Sequence, residues 1–315
     1  MNEDFIKEVT QSIHFGQPEL IEKDLIIHLL LSRLAENPFF YNNFLFKGGT
    51  CLVKCYLGYY RFSEDIDFTW ENQSVLSRTS ASKRKKIVSG FIDNLLSLVG
   101  KIAKEQGLIF KQDKSDSEFV QFGGNEMRLT LKVHYNSQVL QTRSFVKIQI
   151  NFTEEICFPP RPEEHMQTLV SQISEETKLL FPTDSNLFAN PIKIKKYDIN
   201  EIAAEKVRAI LTRQGIKARD YTDLYMINRK YKIKLESLYE QIAKKINYAI
   251  SRNKRCMESI TAKKKELETG TLFQWGDEKK FLLVELDSND FDEYVLDLEK
   301  ELRKILNMKH IISRT

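Results

Sequence analysis

The sequence has 315 residues, of which 42% are hydrophobic and 29% are charged, and this balance excludes an intrinsically disordered chain. Its 12 glycines and 7 prolines exclude a fibrous protein, and its net charge of +4 is too small to indicate a class of partner. The four cysteines are too scattered for a disulfide framework and no apolar run reaches the roughly 18 residues of a membrane span, so we expect a cytoplasmic protein without membrane association.

The N-terminal part begins with a helix that is apolar over much of its surface. This helix covers Leu20–Leu34 and ends before Pro38, and its apolar surface predicts burial against a sheet. A strand at Phe44–Phe46 then leads through two glycines into a short helix at Cys51–Leu57. A second strand is predicted at Arg61–Thr69.

The hydrophobic period changes in the next part of the chain. An amphipathic helix is predicted over Ile87–Ala103. Beyond it, apolar and polar residues alternate over Leu129–Tyr135 and over Val146–Phe152, as they do in half-buried strands. Together with the apolar segments Leu108–Phe110 and Phe119–Phe122, these strands predict a twisted, largely antiparallel sheet.

A proline-rich segment separates this sheet from a helical region. Three prolines within Pro159–Pro162 mark the predicted domain boundary. Helical patterns dominate afterwards, over Ile199–Arg213, Asp220–Lys230, Leu235–Leu267 and Phe291–Met308. We therefore predict an α+β domain over residues 1–160 and a mainly helical domain over residues 161–315.

Two aspartates on one strand are the residues with the clearest chemical potential. Because side chains alternate along a strand, Asp65 and Asp67 point to the same face, about 6.5–7 Å apart. That spacing suits Mg²⁺ or Mn²⁺, which prefer oxygen ligands and complete their coordination with water and phosphates. Gly48 and Gly49 would let the backbone approach a triphosphate, and Thr50 would add a hydroxyl. Taken separately, an Asp-x-Asp or a Gly-Gly is explained as well by a solvated turn.

A resemblance to a known family rests on two segments, FKGGTCLVK at residues 46–54 and RFSEDIDF at residues 61–68. They closely resemble the nucleotidyltransferase toxins of the AbiEii/AbiGii family, within the polymerase-β-like superfamily. Further matching segments are Glu22–Asp24, Glu201–Lys206 and Arg219–Leu224. The resemblance implies an α+β fold, in which a polymerase-β-like nucleotidyltransferase domain with a mixed sheet is followed by a helical domain that closes the active-site cleft.

One lysine of the helical region has an unusual position. Lys206 lies at the centre of an apolar helical stripe, where a lysine is almost never buried unpaired. It would either extend its amine to the nearby surface or reach nucleotide phosphates. Asp220 and Asp223 share a helical face, a position that also suits capping of a helix N-terminus. The resemblance implies that Lys206 and one of these aspartates belong to the active site, and we favour Asp220.

The resemblance also implies an activity. It is the Mg²⁺-dependent transfer of a nucleoside monophosphate from an NTP to tRNA or another cellular acceptor, with release of pyrophosphate. The protein would be a toxin of a toxin–antitoxin or phage-defence system, with a cognate antitoxin as partner. The catalytic residues implied are Asp65, Asp67, Lys206 and Asp220, with the metal on the first two. The nucleotide-binding residues implied are Gly48, Gly49, Thr50, Ser63 and Lys206, and the further candidates are Lys47, Arg61 and Asp223.

The predicted strand Val146–Phe152 departs from the pattern of many polymerase-β-like enzymes, which place a third carboxylate on a later strand. Its polar face has Lys147, Gln149 and Asn151, and acids follow only where the strand ends. Either two carboxylates suffice, with Asp220 serving as the base, or the protein is a degenerate, non-catalytic member of the fold that binds nucleotide or RNA.

A basic region follows in the helical domain. Residues 229–265 contain twelve Lys and Arg against three Glu, whereas the whole chain has a net charge of only +4. Such a region is explained by a solvated helix face, by phosphate contacts to RNA, or by a docking surface for the antitoxin. The candidate RNA-binding residues are Lys244, Lys245, Arg252, Lys254 and Arg255.

Overall fold

The computed structural model describes residues 1–77, 79–124 and 126–308. Within these residues, seven strands form one sheet in the N-terminal part. The strands are β1 (Phe44–Lys47), β2 (Asp65–Trp70), β3 (Val120–Gly123), β4 (Arg128–Asn136), β5 (Arg143–Asn151), β6 (Arg161–Glu163) and β7 (Ile194–Lys196). In the described part of the chain, no helix combines the length and the apolar character that crossing a membrane requires.

Helices precede, interrupt and follow these strands. Those before Tyr197 are α1 (Glu3–Ile13), α2 (Pro18–Ala35), α3 (Pro38–Asn43), α4 (Gly48–Leu52), α5 (Ser74–Ser77), α6 (Ala81–Glu105), α7 (Glu175–Leu180) and α8 (Pro182–Asn186). Those after it are α9 (Ile199–Thr212), α10 (Ala218–Tyr231), α11 (Tyr239–Arg252), α12 (Arg255–Thr269) and α13 (Ser288–Leu306). A π-helical turn, Val53–Leu57, extends α4, so the predicted short helix is present with mixed geometry.

The sheet is mixed, which confirms the predicted α+β class. Its strand order is β3-β4-β5-β2-β1-β7-β6. The pairs β2–β5 and β1–β7 are parallel, and the other neighbours are antiparallel. The predicted strand at Leu108–Phe110 is reduced to a single bridge between Ile109 and His134. The strand predicted from Arg61 begins only at Asp65.

The chain divides into two compact units, and their boundary differs from the predicted one. The first unit contains residues 1–154 and 160–196, and the second contains 155–159 and the chain from Tyr197 onward. The segment that follows the prolines belongs to the first unit because β7 pairs with β1 and β6 pairs with β7. These strands have only three residues each, too short for a period of two to be visible in the sequence.

The two faces of the sheet differ in polarity. On one face, the rings of Phe44 and Trp70 pack against Phe91 of α6, with centroids 6.2 and 4.8 Å apart. Phe46 and Phe68, which are register partners, are fully buried on this same face. The opposite face carries the polar residues of β2, β4 and β5, several of which are only partly buried. The core of the first unit therefore lies on the helix-covered face.

The second unit is helical, with α9 in contact with α10, α11 and α12. The predicted continuous helix Leu235–Leu267 is wrong, because the chain forms a 3₁₀ turn and then two α-helices, α11 and α12, in its place. The break occurs at Asn253, whose backbone is extended and whose side chain accepts a hydrogen bond from the Arg255 amide at 3.1 Å. An Asn side chain competes for backbone partners in this way and ends one helix as the next begins.

Candidate active site

The turn from β1 into α4 brings two glycines against the predicted site residues. Gly48 has a left-handed φ of 78°, and a Cβ there would lie 2.3 Å from Oδ2 of Asp67. A Cβ on Gly49 would lie 2.6 Å from Nη2 of Arg61 and 3.0 Å from Oγ of Ser63. Both positions therefore require glycine, because a side chain would displace the polar groups beside the turn.

Replacing Gly48 by alanine tests this close approach. A left-handed alanine costs roughly 1–2 kcal/mol of stability, and the added methyl group would also displace the Asp67 carboxylate. Because Asp67 is predicted to be catalytic and small misplacements of a catalytic group are costly, we expect nucleotide transfer to fall about tenfold to a hundredfold. The matched control is Gly107→Ala, since Gly107 has a φ of 65° but no heavy atom within 4 Å of an added Cβ. Near-normal transfer by Gly48→Ala would contradict the placement of Asp67 in the site.

A pair of hydroxyls joins this turn to β2. Oγ1 of Thr50 donates to the main-chain oxygen of Asp65, and it lies 2.9 Å from Oγ of Ser63. Thr50 is buried, whereas Ser63 is partly exposed. Thr50 therefore fixes the start of β2, and Ser63 is the more accessible of the two hydroxyls.

Asp65 and Asp67 lie on the polar face of the sheet. Asp67 is the register partner of Lys47 on β1 and of Gln149 on β5, and Asp65 is the partner of Lys147. Both carboxylates are partly exposed, and Nζ of Lys147 lies 3.9 Å from Oδ1 of Asp65. Two accessible carboxylates form a donor set that fits Mg²⁺, which takes its other ligands from water and phosphates. Within the described residues, no group of three or more His, Cys, Asp or Glu is arranged to hold a metal.

Lys47 and Arg61 are both buried, Lys47 as the register partner of Asp67 and Arg61 against Gly49. Arg61 donates to the main-chain oxygen of Phe62 at 2.8 Å. Nζ of Lys47 lies 3.4 Å from Oε2 of Glu154, and the exposed fractions of their side chains are only 5% and 11%. Glu154 is thus a carboxylate that pairs with Lys47, the register partner of Asp67. No hydrophobic period marks it in the sequence, because it follows β5 in a loop.

The triplet at residues 22–24 anchors α2 to the strands around the site. Glu22 accepts hydrogen bonds from Oγ of Ser137 at 2.5 Å and from the amide of Gln138 at 2.7 Å, in the loop between β4 and β5. Lys23 forms an ion pair of 2.8 Å with Glu64, directly before β2. These contacts fix the positions of β2, β4 and β5 relative to one helix.

Asp24, the third residue of this triplet, also anchors α2. It accepts hydrogen bonds from Nζ of Lys54 at 2.9 Å and from the hydroxyl of Tyr59 at 2.7 Å. Burial lowers the pKa of Lys54, and the charge of Asp24 opposes that shift. A buried ion pair therefore holds the segment between α4 and β2. Residues 22–24, which only the resemblance to the family had singled out, thus have a structural role.

The second unit contains an ionic cluster around Lys206. Its Nζ lies 2.9 Å from Oδ1 of Asp220 and 2.6 Å from Oδ2 of Asp223. Arg213, which sequence reasoning did not select, lies 2.7 Å from the other oxygen of Asp220. Burial alone would raise the pKa of Asp220, but Lys206 and Arg213 outweigh it, so the pKa is lowered. Lys206 is therefore paired inside the unit, and Asp220 binds these cations instead of capping α10.

The variant Lys206→Met is expected to lower stability, since it removes a cation shared by two buried carboxylates. Hydrogen bonds between charged groups are worth about 1.5–3 kcal/mol, and Arg213 would still neutralise part of the charge of Asp220. Denaturant unfolding would measure the loss, with Lys265→Met as the control because Lys265 is exposed on α12. Equal stability of the two variants would contradict the ionic role of Lys206.

The predicted RNA-binding residues divide into an exposed set and one buried lysine. Lys244, Arg252, Lys254 and Arg255 are exposed on α11 and at the turn into α12. Lys245 is buried, forms an ion pair with the equally buried Glu201, and donates to the main-chain oxygen of Glu155 at 2.5 Å. Lys245 is therefore not available for an external phosphate, and the RNA-binding prediction rests on the four exposed residues.

Lys263 is a second lysine of the basic region that is buried instead of exposed. Nζ of Lys263 donates to the main-chain oxygens of Ile210, Arg213 and Gly215, where α9 ends, at 2.5 Å for Arg213 and 3.1 Å for Gly215. Burial lowers the pKa of Lys263 to about 8. This lysine supplies donors to helix carbonyls that would otherwise lack partners.

A family model matches nearly the whole chain. It is the model of the nucleotidyl transferase AbiEii toxin of type IV toxin–antitoxin systems, and it matches residues 29–307. The crystal structure of JHP933 from Helicobacter pylori is 15% identical, with a TM-score of 0.40 over 92% of this chain and 95% of that one. A putative nucleotidyltransferase from H. pylori is 16% identical, with a TM-score of 0.40 over 92% and 99%. No curated protein matches the chain.

Proposed function

The chain belongs to the AbiEii nucleotidyl transferase toxin family of type IV toxin–antitoxin systems, and we propose that it transfers a nucleoside monophosphate from an NTP to tRNA or another RNA acceptor. The observation that carries this proposal is the position of Asp65 and Asp67. They lie on the accessible polar face of the sheet, beside a turn whose two glycines let Asp67, Arg61 and Ser63 approach the backbone closely.

Asp65 and Asp67 would hold Mg²⁺ or Mn²⁺, which would neutralise charge on the triphosphate when bound. The residues of the turn would bind and orient the nucleotide, with Ser63 as the accessible hydroxyl. Lys206 is the cation that we propose for the phosphates. The buried Asp220, whose pKa is lowered by Lys206 and Arg213, is proposed to position that lysine rather than to accept a proton. An acceptor hydroxyl oxygen would bond to the α-phosphorus and give up its proton to solvent water. The bond between the α-phosphorus and the oxygen shared with the β-phosphate would break, and pyrophosphate would leave with that oxygen.

The experiment that tests this function supplies each NTP separately with label on the α-phosphate. The protein is incubated with the NTP, Mg²⁺ and total cellular RNA, and the label is followed into RNA, protein and small molecules. Label in RNA supports the proposal and identifies the nucleotide. Label in protein or in a small molecule would show that the acceptor is not RNA. No label in any fraction would contradict nucleotide transfer.

A second candidate function is supported by the residue opposite Asp67. Gln149 occupies that place on β5, where a carboxylate would help to activate the acceptor hydroxyl. A degenerate member of the fold would bind NTP or RNA without chemistry. Measurable NTP binding combined with no transfer of label under any metal would favour this alternative.

The biological setting is a further part of the proposal. Since the family comprises toxins of type IV toxin–antitoxin systems, we propose that the protein acts in the cytoplasm, that a cognate antitoxin counteracts it, and that it serves in phage defence. The exposed residues Lys244, Arg252, Lys254 and Arg255 are proposed to contact the RNA backbone. Expression with and without the neighbouring gene would test the antitoxin, because toxicity should appear only in its absence.

A further inference from the structure

The polar face of the sheet continues beyond the two aspartates and changes in character. Lys147 on β5 is the register partner of Asp65, and Lys132 on β4 is the register partner of Lys147. These three side chains therefore form a row across the sheet, with neighbours about 4.8 Å apart. Phe145 and its partner His134 lie two residues farther along the same strands and point to the same face.

Both lysines of this row flank the ring of Phe145. Nζ of Lys132 lies 5.6 Å from the ring centroid, and Nζ of Lys147 lies 5.8 Å from it. The ring of His134 packs 5.4 Å away. These distances are typical of cation–π contacts, so two ammonium groups lie around one aromatic ring. We call Lys132, His134, Phe145 and Lys147 the Lys–Phe stripe.

Three of the four residues of the Lys–Phe stripe are accessible, and His134 is buried beneath them. Lys132, Phe145 and Lys147 are only partly buried, and the side chain of Lys147 is 40% exposed. Among the described residues, Lys132 has no carboxylate partner, and the only carboxylate near Lys147 is Asp65 at 3.9 Å. The apolar residues of β4 and β5 that build the core point to the opposite face. Packing of the core therefore does not require a phenylalanine at position 145.

The position of the stripe relative to Asp65 and Asp67 indicates which ligand it binds. The glycine turn with Ser63 adjoins β1, on one side of β2, whereas the stripe lies on β5 and β4, on the other side. In phosphoryl transfer the attacking and leaving oxygens are roughly in line with the phosphorus. If pyrophosphate leaves on the β1 side, the acceptor hydroxyl must approach from the β5 side, where the Lys–Phe stripe is.

We propose that the Lys–Phe stripe binds the reactive single-stranded end of the RNA acceptor, with one base stacked on Phe145 and adjacent phosphates paired with Lys132 and Lys147. This inference rests on the proposed nucleotide transfer and adds the site of the acceptor. Stacking on an aromatic ring and phosphate contacts by nearby cations are the two interactions that bind single-stranded nucleic acid without sequence preference.

Direct binding tests the stripe independently of catalysis. A fluorescently labelled single-stranded RNA of twelve nucleotides is titrated with the protein at several salt concentrations, and anisotropy is measured. Loss of base stacking in Phe145→Ala should weaken binding about 5- to 150-fold. The variant Phe145→Leu keeps an apolar side chain and should show a similar loss, which separates stacking from folding. The double variant Lys132→Gln/Lys147→Gln should reduce the log–log salt slope by about 1.4, since each phosphate contact contributes roughly 0.7.

The matched control removes two cations from the other side of the sheet. Lys101 and Lys104 are exposed on α6, the helix that packs on the apolar face, so Lys101→Gln/Lys104→Gln changes the charge equally. This control should retain the wild-type affinity and salt slope. Equal slopes in both double variants, or full affinity in Phe145→Leu, would overturn the proposal.

Kinetics separate failure of the stripe from failure of the proposed function. In steady-state transfer, Phe145→Ala and Phe145→Leu, which leave the Lys147–Asp65 pair intact, should raise the KM for RNA at least fivefold and leave the KM for NTP unchanged. A wild-type protein that transfers nucleotide, with variants whose KM for RNA is normal, would overturn the stripe alone. A wild-type protein that binds RNA through the stripe but transfers nothing would overturn the proposed function alone. A raised KM for NTP would assign the stripe to the nucleotide and overturn its acceptor role.

Discussion

Asp65→Asn and Asp67→Asn are each expected to reduce nucleotide transfer on the order of 10³-fold. Both carboxylates are accessible on one face of the sheet, and asparagine keeps their size while removing the charge that a divalent cation requires. Because neither side chain is part of the apolar core, the variants should unfold at nearly the wild-type denaturant concentration. Incorporation of labelled nucleotide into RNA at saturating NTP measures the effect.

A matched carboxylate on the other side of the sheet provides the control. Asp93 is exposed on α6 and pairs with Lys114 at 2.6 Å, so Asp93→Asn removes the same charge on the side of the sheet opposite the two carboxylates proposed to bind the metal. Its transfer rate should equal that of the wild type. Retention of more than about a tenth of wild-type activity by Asp65→Asn or Asp67→Asn would be incompatible with two metal-binding carboxylates.

The largest effect on stability is expected for Lys245→Met. Lys245 and Glu201 form a completely buried ion pair, and Glu201 also accepts the amides of Cys157 and Phe158 at 2.8 Å each. Removing the lysine leaves a buried carboxylate without its cation, which typically costs about 3–5 kcal/mol. The free energy of unfolding should fall by that amount, as measured by urea denaturation followed by circular dichroism.

The neighbouring lysine is the matched control for this substitution. Lys244 precedes Lys245 in α11 but is exposed, so Lys244→Met should change stability by less than about 0.5 kcal/mol. The same two variants also distinguish an effect on stability from an effect on RNA binding, since of these two lysines only Lys244 can reach an external phosphate. If both variants had the same stability, the buried ion pair would be refuted.

The long strands and the shared face of Asp65 and Asp67 could be predicted from the sequence because both depend on local patterns. The alternating residues of β4 and β5 indicate one buried face, and the same period of two places Asp65 and Asp67 together on the other face. The glycines mark a turn because only they tolerate the close approach of Asp67 and Arg61. The resemblance to the AbiEii family, which the family match confirms, joined these patterns to a function.

Contacts between distant parts of the chain could not be predicted. Lys244 and Lys245 are identical in the sequence, and only the position of Glu201 decides that one of them is buried. Arg213 pairs with Asp220 because the end of α9 lies beside α10, and no local pattern in the sequence indicates that contact. Short strands such as β7 gave no periodic signal, so the extent of the first unit depended on pairing that the sequence does not display.

The most direct test of nucleotidyl transfer is the ratio of pyrophosphate released to nucleotide incorporated into RNA. Both products are measured in one reaction that contains the wild-type protein, the preferred NTP, Mg²⁺ and RNA. Transfer at Asp65 and Asp67 predicts one pyrophosphate for each nucleotide incorporated, with both products absent when RNA is omitted or when Asp67→Asn is used. Pyrophosphate or phosphate released without incorporation, or incorporation that survives in Asp67→Asn, would contradict the assignment of this site to nucleotidyl transfer.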